Sequence, residues 1–285
     1  MKEIESAVSF DVDGVTVFGV LHEGDASAST GVVIVVGGPQ YRVGSHRQFL
    51  LLARSLAAAG IPVLRFDYRG MGDSEGVLRD FRFVGEDLNA AINVLVERSG
   101  VEAVVLWGLC DGASACMLHG PLDNRVRSMV LLNPWVHTEE TAAAARLENY
   151  YRSRLLSPDL WKKIVTLDAS ILTSLRDFMS SLFALFREQS GDHSGKGEVN
   201  VEDDFIGAML QSMRRFDGKI CLILSGNDLT ADEFRQLLRD NQGWAKLADG
   251  KFGQRTELEQ ANHTFASARW RGEVERVTRE WIEAL

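Results

Sequence analysis

Short apolar segments recur along the chain, and stretches of helical length separate them. Residues 31–36 are apolar without a break, which is typical of a strand buried on both faces of a sheet. An antiparallel hairpin is predicted where 7–13 and 15–22 alternate around Asp13-Gly14. Further strands are predicted at 61–67, 101–107, 126–132, 219–224 and 255–258, and helices at 46–59, 83–98, 113–119, 231–239 and 269–285. This alternation predicts an α/β fold with a mostly parallel central sheet flanked by helices.

The alternation of strand and helix stops at Trp135. From there to about Phe216 the sequence contains helical patterns only, together with a polar linker at 188–200. We therefore predict a helical lid (cap) inserted at 135–216 into a core made of residues 1–134 and 217–285. An insertion at this point of the chain is expected over the carboxyl edge of the sheet, where ligands of such folds bind.

A sharp turn between a strand and a helix is predicted directly after the apolar run 104–107. The sequence there is Gly108-Leu109-Cys110-Asp111-Gly112, the Gly-x-nucleophile-x-Gly pattern of a nucleophile elbow with cysteine at its centre. Glycine is needed on both sides because a side chain at Gly108 or Gly112 would collide with the neighbouring strand or helix. If Asp111 were the nucleophile, the glycines would fall one residue later, so Cys110 is the candidate.

A cysteine nucleophile needs a base that takes its proton and a carboxylate that orients the base. Asp228 follows the strand predicted at 219–224, and His263 follows the one predicted at 255–258. Cys110, Asp228 and His263 thus have the chain order nucleophile, acid, histidine, with each on a loop at the carboxyl end of a strand. The thiol of Cys110 is expected at a helix N-terminus, which favours the thiolate.

The oxyanion of an acyl-transfer reaction must be held by two backbone N–H groups. The first is predicted to be that of Asp111, the residue after the nucleophile. The second is expected from the loop after strand 31–36, where Gly38 is the best donor. Pro39 has no N–H, so Gln40 is the fallback.

Each candidate also has a structural interpretation. Asp228 could only cap the helix that begins near Thr230, and His263 could be a surface histidine in a polar turn. Cys116 and Cys221 are interpreted as small buried hydrophobic residues. No metal and no cofactor is predicted, since no ligand spacing occurs among the remaining histidines, which are His22, His46, His119, His137 and His193.

Composition limits the classes of binding partner and the cellular compartment that we expect. The formal net charge of −9 and the pI of about 5.2 argue against a nucleic-acid surface, so small molecules or proteins are the expected partners. Three cysteines and the absence of a signal-peptide pattern favour the cytoplasm. No run reaches the roughly 18 apolar residues that would span a bilayer. Peripheral membrane contact stays open, and the oligomeric state is not determined by the sequence.

The motifs resemble those of the exosortase A system-associated hydrolases. The resemblance is carried by Gly-Gly-Pro-Gln-Tyr-Arg-Val-Gly-Ser-His-Arg-Gln-Phe at 37–49, Phe-Asp-Tyr-Arg-Gly-Met-Gly-Asp-Ser-Glu-Gly at 66–76 and Gly-Leu-Cys-Asp-Gly-Ala-Ser at 108–114. It implies an α/β-hydrolase fold with a helical lid, encoded in bacteria that make exopolysaccharide and sort proteins with an exosortase. The chain departs from the commonest superfamily pattern at Cys110, where serine is usual, and at Val36, where the histidine of a His-Gly oxyanion motif usually stands.

The sequence therefore predicts a hydrolase that cleaves a small-molecule thioester or carboxylic ester through an S-acyl intermediate on Cys110. A thioester suits a thiol nucleophile better than an amide does, because attack exchanges one thiol leaving group for another. Two alternatives stay open at this point. One is an acyltransferase that moves the acyl group to a saccharide or another hydroxyl acceptor, and the other is a binding protein on a retired hydrolase fold.

Overall fold

The computed structural model describes residues 5–38, 41–137 and 204–285. Within these residues eight strands form one sheet in the order β1-β2-β4-β3-β5-β6-β7-β8. The strands are β1 Glu5–Val12, β2 Val15–His22, β3 Thr30–Val35, β4 Val63–Phe66, β5 Ala103–Leu109, β6 Val126–Leu132, β7 Lys219–Asn227 and β8 Phe252–Asn262. The described α-helices are α1 Gln48–Ala58, α2 Gly85–Ser99, α3 Asp111–His119, α4 Phe205–Arg215, α5 Leu229–Asp240, α6 Gln242–Lys251 and α7 Ala268–Glu283.

The sheet is antiparallel at its beginning and parallel from β4 to β8. β1 pairs with β2 and β2 with β4 in antiparallel fashion, and all other pairs are parallel. Asp13 and Gly14 have φ angles of 53° and 79°, as a tight hairpin turn requires. The predicted hairpin and the predicted mostly parallel α/β sheet are both confirmed, and the fold is that of an α/β hydrolase.

The direction in which the strands are added reverses at β3. The chain moves from β3 to β4 on one side and then crosses back to β5 on the other. Since crossovers between parallel strands are right-handed, α1 lies on one face of the sheet, and α2 and α3 on the opposite face. α7 packs with α1, and α4 packs with α3 and α6. The loops after β3 and β5 therefore diverge at a topological switch point, the place where α/β sheets bind ligands.

Strand register brings the candidate residues to one edge. Val35 pairs with Gly108, Leu109 with Leu132, and Asn227 with Asn262. The residues that follow these pairs leave the sheet side by side at its carboxyl edge, because the strands are parallel.

The central strands are buried on both faces, as the apolar runs predicted. Val32, Val33, Ile34 and Val35 have no exposed surface. Trp107 on β5 packs edge-on against Phe49 of α1, with 5.5 Å between the ring centroids. Its indole N–H donates to Thr278 Oγ1 of α7 at 3.2 Å. This buried N–H group therefore has a hydrogen-bond partner inside the core.

Several predicted boundaries differ from the observed ones. α1 begins at Gln48 rather than at residue 46, because His46 and Arg47 have φ angles of 53° and 61° and cannot belong to an α-helix. The last strand covers Phe252–Asn262 rather than 255–258, and α6 at Gln242–Lys251 was not predicted.

Most of the predicted lid, residues 138–203, lies outside the described residues. The end of the predicted insertion is described as α4, which packs against α3. Met209 and Met213 of α4 are fully buried, and Ser212 Oγ donates to the Leu118 carbonyl at 2.8 Å. Helix α4 therefore packs onto the core through its buried face. Among the described helices, none has the length and apolar character needed to cross a membrane.

Candidate active site

Cys110 occupies a strained turn between β5 and α3. Its φ and ψ angles are 60° and −128°, a region that residues with side chains rarely adopt and that is often found at functional sites. A Cβ atom on Gly108 would lie 2.5 Å from the Gly112 carbonyl oxygen, and one on Gly112 would lie 2.5 Å from that of Val35. The steric reason predicted for both glycines is confirmed.

The neighbouring strand end is tied to this turn by hydrogen bonds. The Cys110 N–H donates to the Leu132 carbonyl at 2.9 Å, and the Trp135 N–H donates to the Cys110 carbonyl at 3.2 Å. Ser114 Oγ in turn donates to the Trp135 carbonyl at 2.6 Å. The segment that follows β6 is thus fixed against the elbow.

The structure brings Cys110, His263 and Asp228 together. His263 Nδ1 lies 2.8 Å from Asp228 Oδ2, and the His263 side chain also hydrogen-bonds to Cys110. The bond to Asp228, followed by the bond to Cys110, raises the pKa of His263 to about 10 in spite of its burial. At neutral pH the imidazole therefore holds its proton in the free protein.

Asp228 makes the contacts of both roles that the sequence left open. Oδ1 accepts from the Thr230 N–H at 3.2 Å and Oδ2 from the Ala231 N–H at 3.3 Å, which caps α5. The same Oδ2 atom accepts from His263. The cap and the histidine contact fix the carboxylate from two sides.

The side chain of Asp111 is close to Gly38, which carries the second predicted oxyanion donor. Asp111 is the first residue of α3, and its carboxylate accepts from the Gly112 N–H at 3.1 Å. The Gly38 N–H also hydrogen-bonds to this carboxylate. Burial raises the pKa of Asp111, and the bonds from Gly38 and Gly112 oppose that shift. Gln40, the fallback donor, lies outside the described residues.

The loop that carries Gly38 is anchored on both sides by residues of β4 and of the turn after it. Tyr68 donates its hydroxyl to the Val36 carbonyl. Beyond the undescribed pair 39–40, the Arg42 N–H donates to Asp67 Oδ1 at 2.6 Å and the Arg42 guanidinium pairs with the same carboxylate. Arg65 Nη1 donates to the Arg42 carbonyl at 2.6 Å. Tyr68 and Asp67 belong to the motif at 66–76, so this motif positions the loop that carries the proposed oxyanion donor.

Sequence reasoning missed two pairs of residues at this edge. Asn133 bonds to Ser225 and to the His263 carbonyl, and its position directly before Pro134 at a strand end was the available signal. His137 Nδ1 lies 2.9 Å from Glu233 Oε1 of α5. Neither the buried Glu233 nor the half-exposed His137 stands in a recognisable motif.

The other two cysteines differ from Cys110 in burial. Cys116 and Cys221 have no exposed surface, whereas Cys110 is partly exposed, and all three are free thiols. Burial raises the pKa of both Cys116 and Cys221. Among the described residues no group of three His, Cys, Asp or Glu side chains is arranged to hold a metal ion.

Comparison with known proteins places these observations in a family. Residues 27–177 match the model of the family Hydrolase_4, described as serine aminopeptidase, S33. A curated relative, the quorum-quenching protein AidA of Acinetobacter baumannii (strain MDR-ZJ06), is 29% identical over 135 residues, which are 45% of this chain and 43% of that protein. The chain thus matches less than half the length of this relative.

Solved structures share the fold over nearly the whole chain. The esterase Pf2001 of Pyrococcus furiosus superposes with a TM-score of 0.61 at 15% identity, covering 98% of this chain and 93% of the esterase. Est1E from Butyrivibrio proteoclasticus, solved with bound ferulic acid, gives a TM-score of 0.60 at 11% identity, with 97% and 98% covered. At these identities the likeness shows the α/β-hydrolase fold alone.

Proposed function

The chain belongs to the Hydrolase_4 (serine aminopeptidase, S33) family of α/β hydrolases, and from this premise we propose that it cleaves a thioester or carboxylic ester through an S-acyl intermediate on Cys110. Membership of the family makes the chain a hydrolase. The cysteine nucleophile, its substrate class and the roles of the individual residues are the parts that we propose.

One observation carries the proposal: the chain of hydrogen bonds from Cys110 through His263 to Asp228 at the carboxyl edge of the sheet. The nucleophile stands in a strained elbow, the histidine contacts it, and the carboxylate is itself held by the end of α5. This is the arrangement of nucleophile, base and orienting acid that covalent acyl transfer requires.

The acylation step uses each of the three side chains. In the proposed step His263 holds its proton at neutral pH, and Sγ of Cys110 reacts as a thiolate beside this imidazolium, which Asp228 stabilises. Sγ attacks the substrate carbonyl carbon and a C–S bond forms. The oxyanion of the tetrahedral intermediate is held by the N–H groups of Asp111 and, as the second donor, Gly38. As the bond to the leaving thiol or alcohol breaks, the leaving atom takes the proton from His263.

Deacylation reverses the roles of the same groups. The neutral His263 takes a proton from water, and the water oxygen attacks the acyl carbon of the thioester on Cys110. The Cys110 thiolate then leaves and the free acid is released. His263 has regained its proton, so the thiolate and imidazolium pair is restored for the next substrate.

The nucleophile sets the substrate class. The family is described by a serine enzyme, whereas this chain has a cysteine at the elbow. A thiolate expels another thiolate readily, but an amide nitrogen is a much poorer leaving group than the thiolate that would return. We therefore place thioesters first, esters second and amides last.

Intact-protein mass spectrometry tests the proposal directly. The protein is incubated with acetyl, butyryl, hexanoyl and octanoyl thioesters of N-acetylcysteamine and then quenched in acid. We expect an acyl adduct that maps to Cys110 and is absent from Cys110→Ala. Turnover without any adduct on Cys110, or with the adduct on another residue, would refute the covalent assignment.

The acyltransferase alternative has one observation in its favour. His137 and buried Glu233 form a second histidine–carboxylate pair, on the segment that Trp135 ties to the elbow. Since Nδ1 faces Glu233, Nε2 is the atom that could take a proton from a hydroxyl acceptor while His263 serves Cys110. With methanol or glucose present, His137→Gln should then lower the ratio of ester product to free acid. An unchanged ratio would exclude His137 as the base for a hydroxyl acceptor.

A retired binding protein is distinguished by a simpler measurement. Turnover of p-nitrophenyl butyrate that disappears in Cys110→Ala would exclude it, and the complete set of Cys110, Asp228 and His263 favours that result. A role beside exopolysaccharide and exosortase systems rests on the motif resemblance alone, and a cytoplasmic location rests on composition. Both stay predictions.

A further inference from the structure

Asn133 connects the loops of the proposed acid and base. It follows β6 directly and is fully buried. Its Oδ1 accepts from the Ser225 N–H at 2.9 Å, and its Nδ2 donates to Ser225 Oγ at 2.8 Å and to the His263 carbonyl at 3.1 Å. Both N–H donors of the amide and one lone pair of its oxygen are used, and the partners on each side fix which atom is oxygen and which is nitrogen.

The contacts continue from Ser225 to the proposed acid. Ser225 Oγ donates to Asp228 Oδ2 at 3.3 Å, the carboxylate oxygen that also accepts from His263 Nδ1. A closed circuit therefore runs from Asn133 through Ser225, Asp228 and His263 back to Asn133. The circuit joins the carboxyl ends of β6, β7 and β8.

The backbone at Asn133 is strained. Its φ angle is 42°, in the left-handed region that costs most residues energy and that asparagine tolerates better than others. The next residue is Pro134, which narrows the allowed conformations further. A strained, fully buried polar residue persists only where its surroundings require it, and here the surroundings are the two loops of the proposed acid and base.

We propose that Asn133 is a positioning residue for the proposed acyl-transfer reaction, because its amide sets the distance between the His263 loop and the Asp228 loop. The inference rests on the proposed function, in which these two residues act as base and acid. Asn133 touches neither the substrate nor Sγ. It acts by holding the His263 backbone and, through Ser225, the Asp228 carboxylate.

Two variants separate this role from simple stabilisation. Asn133→Gly removes the amide while accepting a positive φ without strain. Ser225→Ala removes the hydroxyl that links Asn133 Nδ2 to Asp228 and leaves the Asn133 bonds to the Ser225 N–H and the His263 carbonyl in place. The matched control is Ser128→Ala on β6, the strand that Asn133 follows. It breaks two hydrogen bonds, to the Lys219 carbonyl and from Trp281 Nε1, at the opposite end of β6. Each variant is measured for its thermal midpoint, for kcat and KM with p-nitrophenyl butyrate, and for the pH dependence of Cys110 alkylation by iodoacetamide.

We expect Asn133→Gly to lower kcat by about 10- to 100-fold with little change in KM, and to move the pH profile of alkylation. Ser225→Ala should do the same to a smaller extent. The double variant should resemble Asn133→Gly alone, since both act through one circuit. Ser128→Ala should lower the thermal midpoint and leave both kinetic readouts unchanged.

A folded Asn133→Gly protein with wild-type kcat and a wild-type alkylation profile would overturn the inference. If this variant does not fold, Ser225→Ala decides by the same two readouts. Alkylation needs no substrate, so it still tests the link from Asn133 to the Cys110 and His263 pair if the wild-type protein hydrolyses no ester. Failure of the proposed function and failure of this inference are therefore seen in different measurements.

Discussion

His263 Nδ1 lies 2.8 Å from Asp228 Oδ2, and the same carboxylate caps α5 through the Thr230 and Ala231 N–H groups. A carboxylate that is already fixed by a helix end does not have to be ordered when it binds the imidazole. The bond to Asp228 is also the largest cause of the raised His263 pKa. One residue thus links the folding of α5 to the protonation of the proposed base.

The first prediction concerns stability against pH. The pKa of His263 is about 10 in the folded protein and about 6.5 in an unfolded chain. Below pH 6.5 both states hold the proton and the stabilisation is complete. Between pH 6.5 and 10 the unfolded chain loses the proton first, so the free energy of unfolding decreases as pH rises.

Urea unfolding at several pH values, for wild type and His263→Gln, measures this effect. The difference between the two proteins should be constant below pH 6.5 and shrink up to about pH 10. In a Cys110→Ala background the difference should disappear at a lower pH, because one of the two bonds that raise the pKa is gone. A difference that grows with pH would contradict the assigned direction.

The second prediction separates the two roles of Asp228. Asp228→Asn should lower kcat by on the order of a thousandfold or more, because the charge that stabilises the imidazolium is lost. The thermal midpoint should fall at neutral pH, because the stabilisation of the His263 imidazolium is lost. It should approach the wild-type value near pH 10, since Asn caps a helix about as well as Asp. The matched control is Asn241→Asp at the cap of α6, where Asn241 accepts from the Gly243 and Trp244 N–H groups. Wild-type activity in Asp228→Asn would assign the acid elsewhere.

The parallel core could be predicted because its signals are local. Burial on both faces of the sheet explains the apolar run Val32 to Val35, and close backbone contacts explain the glycines around Cys110. Chain order then indicates Asp228 and His263 as the candidate acid and base. The observed φ of Cys110 and the contacts of the two glycines agree with that reasoning.

The features that were missed depend on residues that are distant in sequence or on weak local signals. Asn133 meets Ser225 and His263 across 92 and 130 residues, and no local pattern encodes such a contact. His46 and Arg47 adopt positive φ against their own preference, so the helix start was placed too early. β8 alternates charged and less exposed residues at the edge of the sheet, so no apolar run marks most of its length. Two glycines weaken the helical pattern of α6, which was therefore not predicted.

The third prediction concerns the choice among the cysteines. Cys110→Ala should abolish both the acyl adduct and the turnover of p-nitrophenyl butyrate. Cys116 and Cys221 should stay unlabelled, because both are buried and burial raises their pKa. Cys116→Ala is the control and should keep both the adduct and the activity. An adduct on Cys116 or Cys221 in folded Cys110→Ala would disprove the elbow assignment.

The last prediction concerns the carboxylate of Asp111. It hydrogen-bonds to the Gly38 N–H, the donor proposed for the oxyanion, so a charged carboxylate would stand beside the proposed oxyanion position. Two like charges about 6 Å apart repel by about 3 kcal/mol at an effective dielectric constant of 20. Asp111→Asn keeps an acceptor for the Gly112 N–H and removes the charge. It should therefore raise kcat/KM, by about tenfold if half of this repulsion is felt in the transition state.

The pH dependence gives this prediction its sharpest test. Burial raises the pKa of Asp111, so in the wild type the carboxylate becomes neutral as the pH falls, and the gain from Asp111→Asn should shrink at acid pH. The ratio of kcat/KM between the variant and the wild type, measured from pH 8 down to the limit of stability, reports this change. Asp111→Ala is the companion variant, because it removes the acceptor as well as the charge. If both variants lose activity to the same extent at every pH, the carboxylate is needed to hold the Gly38 loop, and its charge does not oppose the oxyanion.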